Sequence, residues 1–302
     1  MCDGMRSFGY KKTYAILSVT LLIILIIAIG IMVWFDLFYT PPKKENKVNE
    51  ETVKIVEPVI TRADNEYFEG KKLVAITFDD GPSNVTTKIL DELDKRDAKV
   101  TFFMVGNRVN SYTDVVKRVH DSGHTIGNHS YSHKSFNKQT PEQYLNEINT
   151  TNFTISSITG EDVIFVRPPY GAYKNSTLEN VNMNFVLWSI DTLDWKTRDA
   201  DMVYNEIITK VDDGSIILMH DLYETTYEAA IRAIDYLLEN GYAVVSLEEM
   251  YRIRGLEPEM HSSIRYLLPP EPEIPEEVIP EEVVVDTETT ENIETNEKET
   301  SN

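Results

Sequence analysis

Cysteine is all but missing from this chain: Cys2 stands alone among 302 residues. No disulfide can close within it, so its fold must be held by an apolar core and, where needed, a bound metal. Positive charge is scarce too. Twenty-nine Lys and Arg face fifty Asp and Glu, a formal net charge of -21, which excludes nucleic acid and anionic membrane surfaces as natural partners. Much of the excess is local, since residues 271–302 hold twelve acids and one lysine.

Long uncharged runs are rare, with one exception. Ala15 to Phe35 is 21 residues without a charge, which at 1.5 Å per residue covers a hydrocarbon core of about 30 Å. Arg6, Lys11 and Lys12 precede it and Asp36 follows, so residues 1–12 are expected in the cytoplasm and the remainder outside; Lys43 and Lys44 soften the asymmetry. No small-x-small cleavage site follows cleanly. An uncleaved signal anchor over residues 13–36 is therefore expected rather than a cleaved signal peptide, giving a single-pass cell-membrane protein with an extracellular folded domain.

Residues 37–69, rich in Lys, Glu, Asn and Val with Pro41 and Pro42, show no sustained period and read as a linker or stalk. Residues 256–302 combine frequent proline with dense glutamate and read as a disordered acidic tail. Between them, residues 70–255 alternate short apolar runs with amphipathic stretches. The runs are Leu73 to Phe78, Val100 to Val105, His124 to Gly127, Val163 to Val166, Phe185 to Ile190, Ile216 to His220 and Ala243 to Ser246. Thr140-Pro141 with Gln143 forms a capping box, and Tyr227 to Leu238 is a helix closed by Asn240-Gly241. Seven strands alternating with helices predict a parallel α/β sheet, either a distorted seven-stranded (β/α) barrel or a doubly wound open sheet. In both, function sits at the carboxyl ends of the strands.

Chemistry gathers at those ends. The first strand runs into Thr77-Phe78-Asp79-Asp80-Gly81-Pro82, and two adjacent acids there demand a nearby cation or metal. The third strand leads into His129-Ser130-Tyr131-Ser132-His133. Its two imidazoles can converge on one ion where the segment is a helical turn, and with Asp80 they make three ligands and an open position, the pattern of a catalytic zinc site. The fourth ends in Arg167-Pro168-Pro169-Tyr170-Gly171, placing Arg167 where it can pair with Asp79 and leaving the Tyr170 N–H free. The fifth ends in Asp191-Thr192-Leu193-Asp194-Trp195 and the sixth in Leu218-Met219-His220-Asp221, so Asp194 can keep His220 protonated. Tyr170 and Trp195 offer flat faces to a sugar ring. Taken singly, each patch has an ordinary structural reading as a cap, turn, salt bridge or core residue. His120, His124 and His261 lack an acidic partner at useful spacing and read as helix-surface, strand-end and tail residues.

Taken in order, TFDDGP, HSYSH, RPPYG, DTLDW and ILMHD resemble the polysaccharide deacetylases of carbohydrate esterase family four over residues 72 to about 250. The resemblance implies Asp79 as catalytic base and Asp80, His129 and His133 as ligands of one divalent ion, zinc or alternatively cobalt, manganese or nickel. It further implies Arg167 orienting Asp79, the Tyr170 N–H binding an oxyanion, His220 as acid, Asp194 tuning it, and Trp195 and Leu218 bordering an acetyl pocket. The expected activity is removal of N-acetyl groups from N-acetylglucosamine in an extracellular glycan, peptidoglycan first, by a monomer. Chitin, another poly-N-acetylglucosamine and acetylated xylan are the alternative substrates. A non-catalytic glycan-binding module would normally lack one of these site residues, and a two-metal phosphoesterase would need more ligands.

Overall fold

The structure, a computed structural model, describes residues 25–31, 34 and 61–269. Residues 25–31 and 34 are helical, and no helix among the described residues is long and apolar enough to cross a membrane. Most of the segment expected to span it, residues 37–60 of the expected linker and the tail from residue 270 lie outside the described residues, whereas the linker's last residues are folded: Asn65–Phe68 is a 3-10 helix that buries Phe68. The chain divides into two compact units, Met1–Val59 and Ile60–Asn302, and all nine strands found among the described residues belong to the second.

β1, Lys72–Asp79, is buried along nearly its whole length because parallel neighbours flank it on both edges and side chains cover both faces. Its alternation sorts the chain into two cores. Val74, Ile76 and Phe78 point outward among residues of the helices Asn84–Leu93 and Glu224–Glu239, whereas Leu73 and Ala75 join an inner cluster with Phe103, Phe165, Val186 and Ile216. Thr77 and Asp79 continue the inner parity, since side chains two apart share a face. Each fully buried aliphatic or aromatic residue here contributes about 1.5–3 kcal/mol.

β2 (Thr101–Met104), β3 (Thr125–Asn128), β4 (Phe165–Val166) and β5 (Asn184–Val186) follow on one side of β1, and β7 (Ser215–His220) and β6 (Ile190–Asp191) on the other, with every pairing parallel. β8 (Tyr242–Val244) pairs with the start of β1. Register then levels the carboxyl ends: Asp79 lies opposite both Phe103 and His220, Met104 opposite Asn128, and Asn128 opposite Val166.

The single fifth strand expected over Phe185 to Ile190 is two. β5 pairs with β4, β6 pairs with β7, and only Leu187, Trp188 and Ser189 separate them, so this stretch changes partner in mid-course and ties the two ends of the strand order together. The sheet is thus a curled parallel α/β arrangement consistent with a (β/α) barrel, rather than the doubly wound open sheet. Its other side is closed by residues beyond the expected boundary at 255. β9 (Ser263–Ile264) pairs with β5, Leu267 N–H donates to Gly214 O, and Tyr266 bridges Ser215. Gly214 has φ +79°, and a Cβ there would stand 2.8 Å from the Leu267 carbonyl, so this approach requires glycine.

Ending the chain after residue 255 should lower its melting temperature by about 5–10 °C relative to ending it after residue 269, the effect of roughly 2–3 kcal/mol on a domain of this size. Equal melting temperatures would show that β9 and Leu267 contribute nothing.

Candidate active site

The site is assembled where β1, β3, β4, β6 and β7 end. Five non-glycine residues at these ends, Asp80, Ser130, His133, Tyr170 and Leu193, have positive φ. Such conformations persist only where the surroundings impose them.

Arg167 is fully buried at the end of β4. Its Nη1 donates to Asp79 Oδ1 and Thr77 Oγ1, each at 2.7 Å, while Nε and Nη2 donate to the Val186 and Leu187 carbonyls at 3.0 Å. Its guanidinium lies over the Phe103 ring, 4.1 Å from the centroid. A Cβ on Gly127 would come within 2.4 Å of that ring, so the glycine makes room for the aromatic on which Arg167 rests. The pairing of Arg167 with Asp79 expected above is present, and it leaves Asp79 Oδ2 outside the ion pair, 3.6 Å from His129 Nε2.

His129 and His133 converge, but not on a helical turn as expected. Ser130 at φ 63° and His133 at φ 57° fold the segment back on itself instead. Asn128 accepts from Ser130 N–H, Glu147 accepts from the Ser132 N–H and hydroxyl, and Ser130 Oγ accepts from His133 N–H. His133 Nε2 then lies 3.1 Å from Asp80 Oδ1 and His129 Nε2 3.5 Å, with one ligand atom from each residue all within 4.8 Å of one another.

Three observations fit this trio to a cation. His129 Nδ1 lies 2.7 Å from the Arg167 carbonyl, which can only accept; Nδ1 therefore carries a hydrogen, and when the ring is neutral its lone pair is on Nε2, the nitrogen facing Asp80. Asp80 Oδ1 is buried with no hydrogen-bond partner. Ligands about 2.1 Å from one tetrahedral ion stand about 3.4 Å apart, close to the separations found. Electrostatics agree. Burial opposes charge on Asp80, yet His129 and His133 outweigh it and hold its pKa far below the carboxylate range. Burial likewise opposes protonation of His129, and Asp79 and Asp80 overcome it, raising that pKa, while burial and the neighbouring His129 lower that of His133.

Across the cleft, His220 Nδ1 lies 2.8 Å from Asp194 Oδ1, and its backbone N–H donates to Asp194 Oδ2, which also accepts from Thr226 Oγ1. Burial works against the imidazolium, but Asp194, with Asp79 and Asp80 beyond it, pushes the pKa up to about 9. Near neutral pH the ring carries both protons, one held by Asp194 and one on Nε2 free to be given away. Leu218, Trp188, Trp195, Asp191, Tyr170 and Tyr223 wall a cavity of about 350 Å³ together with these groups. The hydrogen bonds of the turn at Pro169–Gly171 come from Gly171 and Ala172, leaving the Tyr170 N–H outside it.

Every residue named from sequence for this site is thus brought to one rim. Sequence reasoning missed Thr77, Thr226, Asn128 and Glu147, which hold the reactive groups in place, and Trp188 and Tyr223 in the wall. Thr77 was legible from parity, two residues before Asp79; the others lie outside the motifs or carry no local pattern. Asp221 adjoins His220 but turns away beneath Gly81, whose Cβ would meet its carboxyl at 2.2 Å. Burial pushes its pKa up to about 7, and Thr86 donates to it. Of the other histidines, His120 differs from expectation in its partners, and His124 stands at a strand end as read. His120 does meet acids, Asp121 and Glu161, and His124 is buried, accepts from Val100 N–H and has its pKa lowered to about 3 by burial.

The sequence pattern of the family described as polysaccharide deacetylase matches residues 68–185. A peptidoglycan-N-acetylmuramic acid deacetylase, PdaC of Bacillus subtilis, is 35% identical over 214 residues, covering 70% of this chain and 45% of its own. A peptidoglycan-N-acetylglucosamine deacetylase, PgdA of Listeria monocytogenes, is 38% identical over 181 residues, 60% of this chain and 39% of its own. The chain thus spans less than half the length of these curated relatives. The solved structure of a family 4 acetyl xylan esterase from Clostridium thermocellum, in complex with a cobalt ion, superposes with a TM-score of 0.62 at 36% identity, covering 65% of this chain and 99% of that one. This chain belongs to the polysaccharide deacetylase family. Family members of this kind are metal-dependent, and Asp80, His129 and His133 supply the candidate site here.

Calorimetric titration with zinc or cobalt should give one ion per chain. Asp80→Asn and His129→Gln should each weaken binding by more than the roughly 10- to 100-fold typical of losing an outer partner; unaltered affinity would remove the trio as ligands. The raised pKa of His220 has a sign: its stabilising contribution is complete below the ordinary value of 6.5 and is lost as pH rises through about 9. The melting temperature of the wild type should accordingly fall more between pH 6.5 and 9 than that of Asp194→Asn, and an NMR titration of the His220 ring should move to lower pH in the variant.

Proposed function

We propose that the protein hydrolyses N-acetyl groups from N-acetylglucosamine residues of peptidoglycan, releasing acetate, with zinc held by Asp80, His129 and His133. The observation that carries this reading is the placing of a paired carboxylate and a paired imidazole on either side of one three-ligand group: Asp79 and His220 are register partners on adjacent strands. A divalent ion at the trio supplies Lewis-acid activation of water and of the acetamide carbonyl. Asp79, its Oδ1 fixed by Arg167, keeps Oδ2 to accept the proton of the attacking water. His220 gives its Nε2 proton to the departing amine, without which the C–N bond does not break. The Tyr170 N–H donates to the oxygen that gains charge, and Leu218 and Trp195 border the acetyl methyl group. The two curated relatives named for peptidoglycan support that glycan as substrate.

Acting on such a polymer from a membrane tether follows from the uncharged run at Ala15 to Phe35, with the catalytic domain outside the cell membrane and the chain a monomer. The domain is read as a distorted seven-strand barrel with β5 and β6 sharing one barrel position.

Acetate release by the full chain from peptidoglycan, chitin oligomers and acetylated xylan tests the activity and its preference. Asp79→Asn and His220→Gln should each lose about 10²- to 10⁴-fold in kcat on the best substrate. Release from xylan alone would replace peptidoglycan with an ester substrate, and release undiminished in Asp79→Asn would remove it as the base.

A further inference from the structure

Beside the catalytic cavity lies a second hollow, of about 600 Å³, which shares His133 and Tyr170 with it and is floored by Lys134, Ser135, Lys138 and Gln139. It continues into a third of about 250 Å³ that again includes Lys134 and Lys138. A polymer seated with one sugar over the metal ligands therefore passes these two ammonium groups at a neighbouring sugar.

Neither lysine has an ion-pair partner among the described residues: neither ammonium lies within 4 Å of a carboxylate, whereas Lys72, Lys88, Lys95, Lys117 and Lys210 all pair with acids. The one acid in the hollows, Glu147, has both oxygens engaged by Ser132. The segment that presents them is anchored: Phe136 is buried against Tyr144, Gln139 Nε2 donates to the Lys134 carbonyl, and Thr140 caps the helix Pro141–Thr159 that follows. In a chain with so many acids, two exposed cations four residues apart on a fixed segment, facing a cavity and not each other's neutralising partner, make a site for an anion.

We infer that Lys134 and Lys138 form a subsite for a carboxylate branching from the glycan, at the sugar next to the one deacetylated. This deepens the reading under Proposed function and rests on it: lactyl-peptide branches of peptidoglycan carry such carboxylates, and chitin and acetylated xylan do not. The lysines select for the charged glycan by attraction outside the reacting centre.

The test is binding, separate from turnover. The full chain is titrated calorimetrically with a disaccharide bearing a lactyl-linked dipeptide, its amino sugars already deacetylated, in free-acid and carboxamide forms. The free acid should bind about tenfold more tightly at low salt, as two screened ion pairs would allow, and the advantage should vanish at high salt. In Lys134→Gln/Lys138→Gln the ratio should fall towards one, and in Lys117→Gln it should stay as in the wild type. A ratio near one in the wild type, or one that survives in the double variant, overturns the subsite. Acetate release without charge preference would leave the deacetylase reading standing and remove the subsite; charge-dependent binding without acetate release would do the reverse.

Discussion

The structure depends on one buried cation. Arg167 buries a guanidinium with no surface open to solvent, a cost of several kcal/mol unless it is paired and hydrogen-bonded. It is both. Asp79 and Thr77 from β1 and the carbonyls of Val186 and Leu187 at the end of β5 take its hydrogens, Phe103 from β2 lies beneath it, and its own carbonyl takes the Nδ1 hydrogen of His129. Through its side chain and its own carbonyl, this one residue ties the strands together at the rim and settles two chemical questions. It decides which oxygen of Asp79 is spoken for, and which nitrogen of His129 offers a lone pair.

The rest of the site is a division of charge. Asp194, buried and triply hydrogen-bonded, keeps a proton on His220, while the Asp80, His129 and His133 group has more acceptors than donors and calls for a cation. Two carboxylates adjacent in sequence thus take different partners, one a guanidinium and the other two imidazoles. A parallel strand ending in a left-handed residue makes this possible, because Asp80 at φ 73° leaves the alternation that carries Asp79 inward.

Much of this was legible in the residues. The β-branched runs announced parallel strands, the capping box at Thr140 and the helix closing at Asn240 formed as read, and each motif stood at a strand end. The illegible parts have physical causes. β5 and β6 could not be told apart because one apolar run looks the same whether it keeps one partner or changes to another. The segment Ser263 to Leu267 was hidden because its short pairing depends on Gly214 and β5, far away in sequence. The fold of His129 to His133 escaped because a four-residue spacing suits a helical turn, whereas Asn128 and Glu147 enforce a tighter loop.

By itself the sequence determined which chemistry the protein carries, because acids, imidazoles and a guanidinium at the ends of apolar runs limit the reactions available to them. Only the tertiary structure decided how those groups are paired. Pairing depends on strand register and on side chains contributed from a hundred residues away, and a hydrogen bond acts over about 3 Å, a distance that no spacing along the chain can specify.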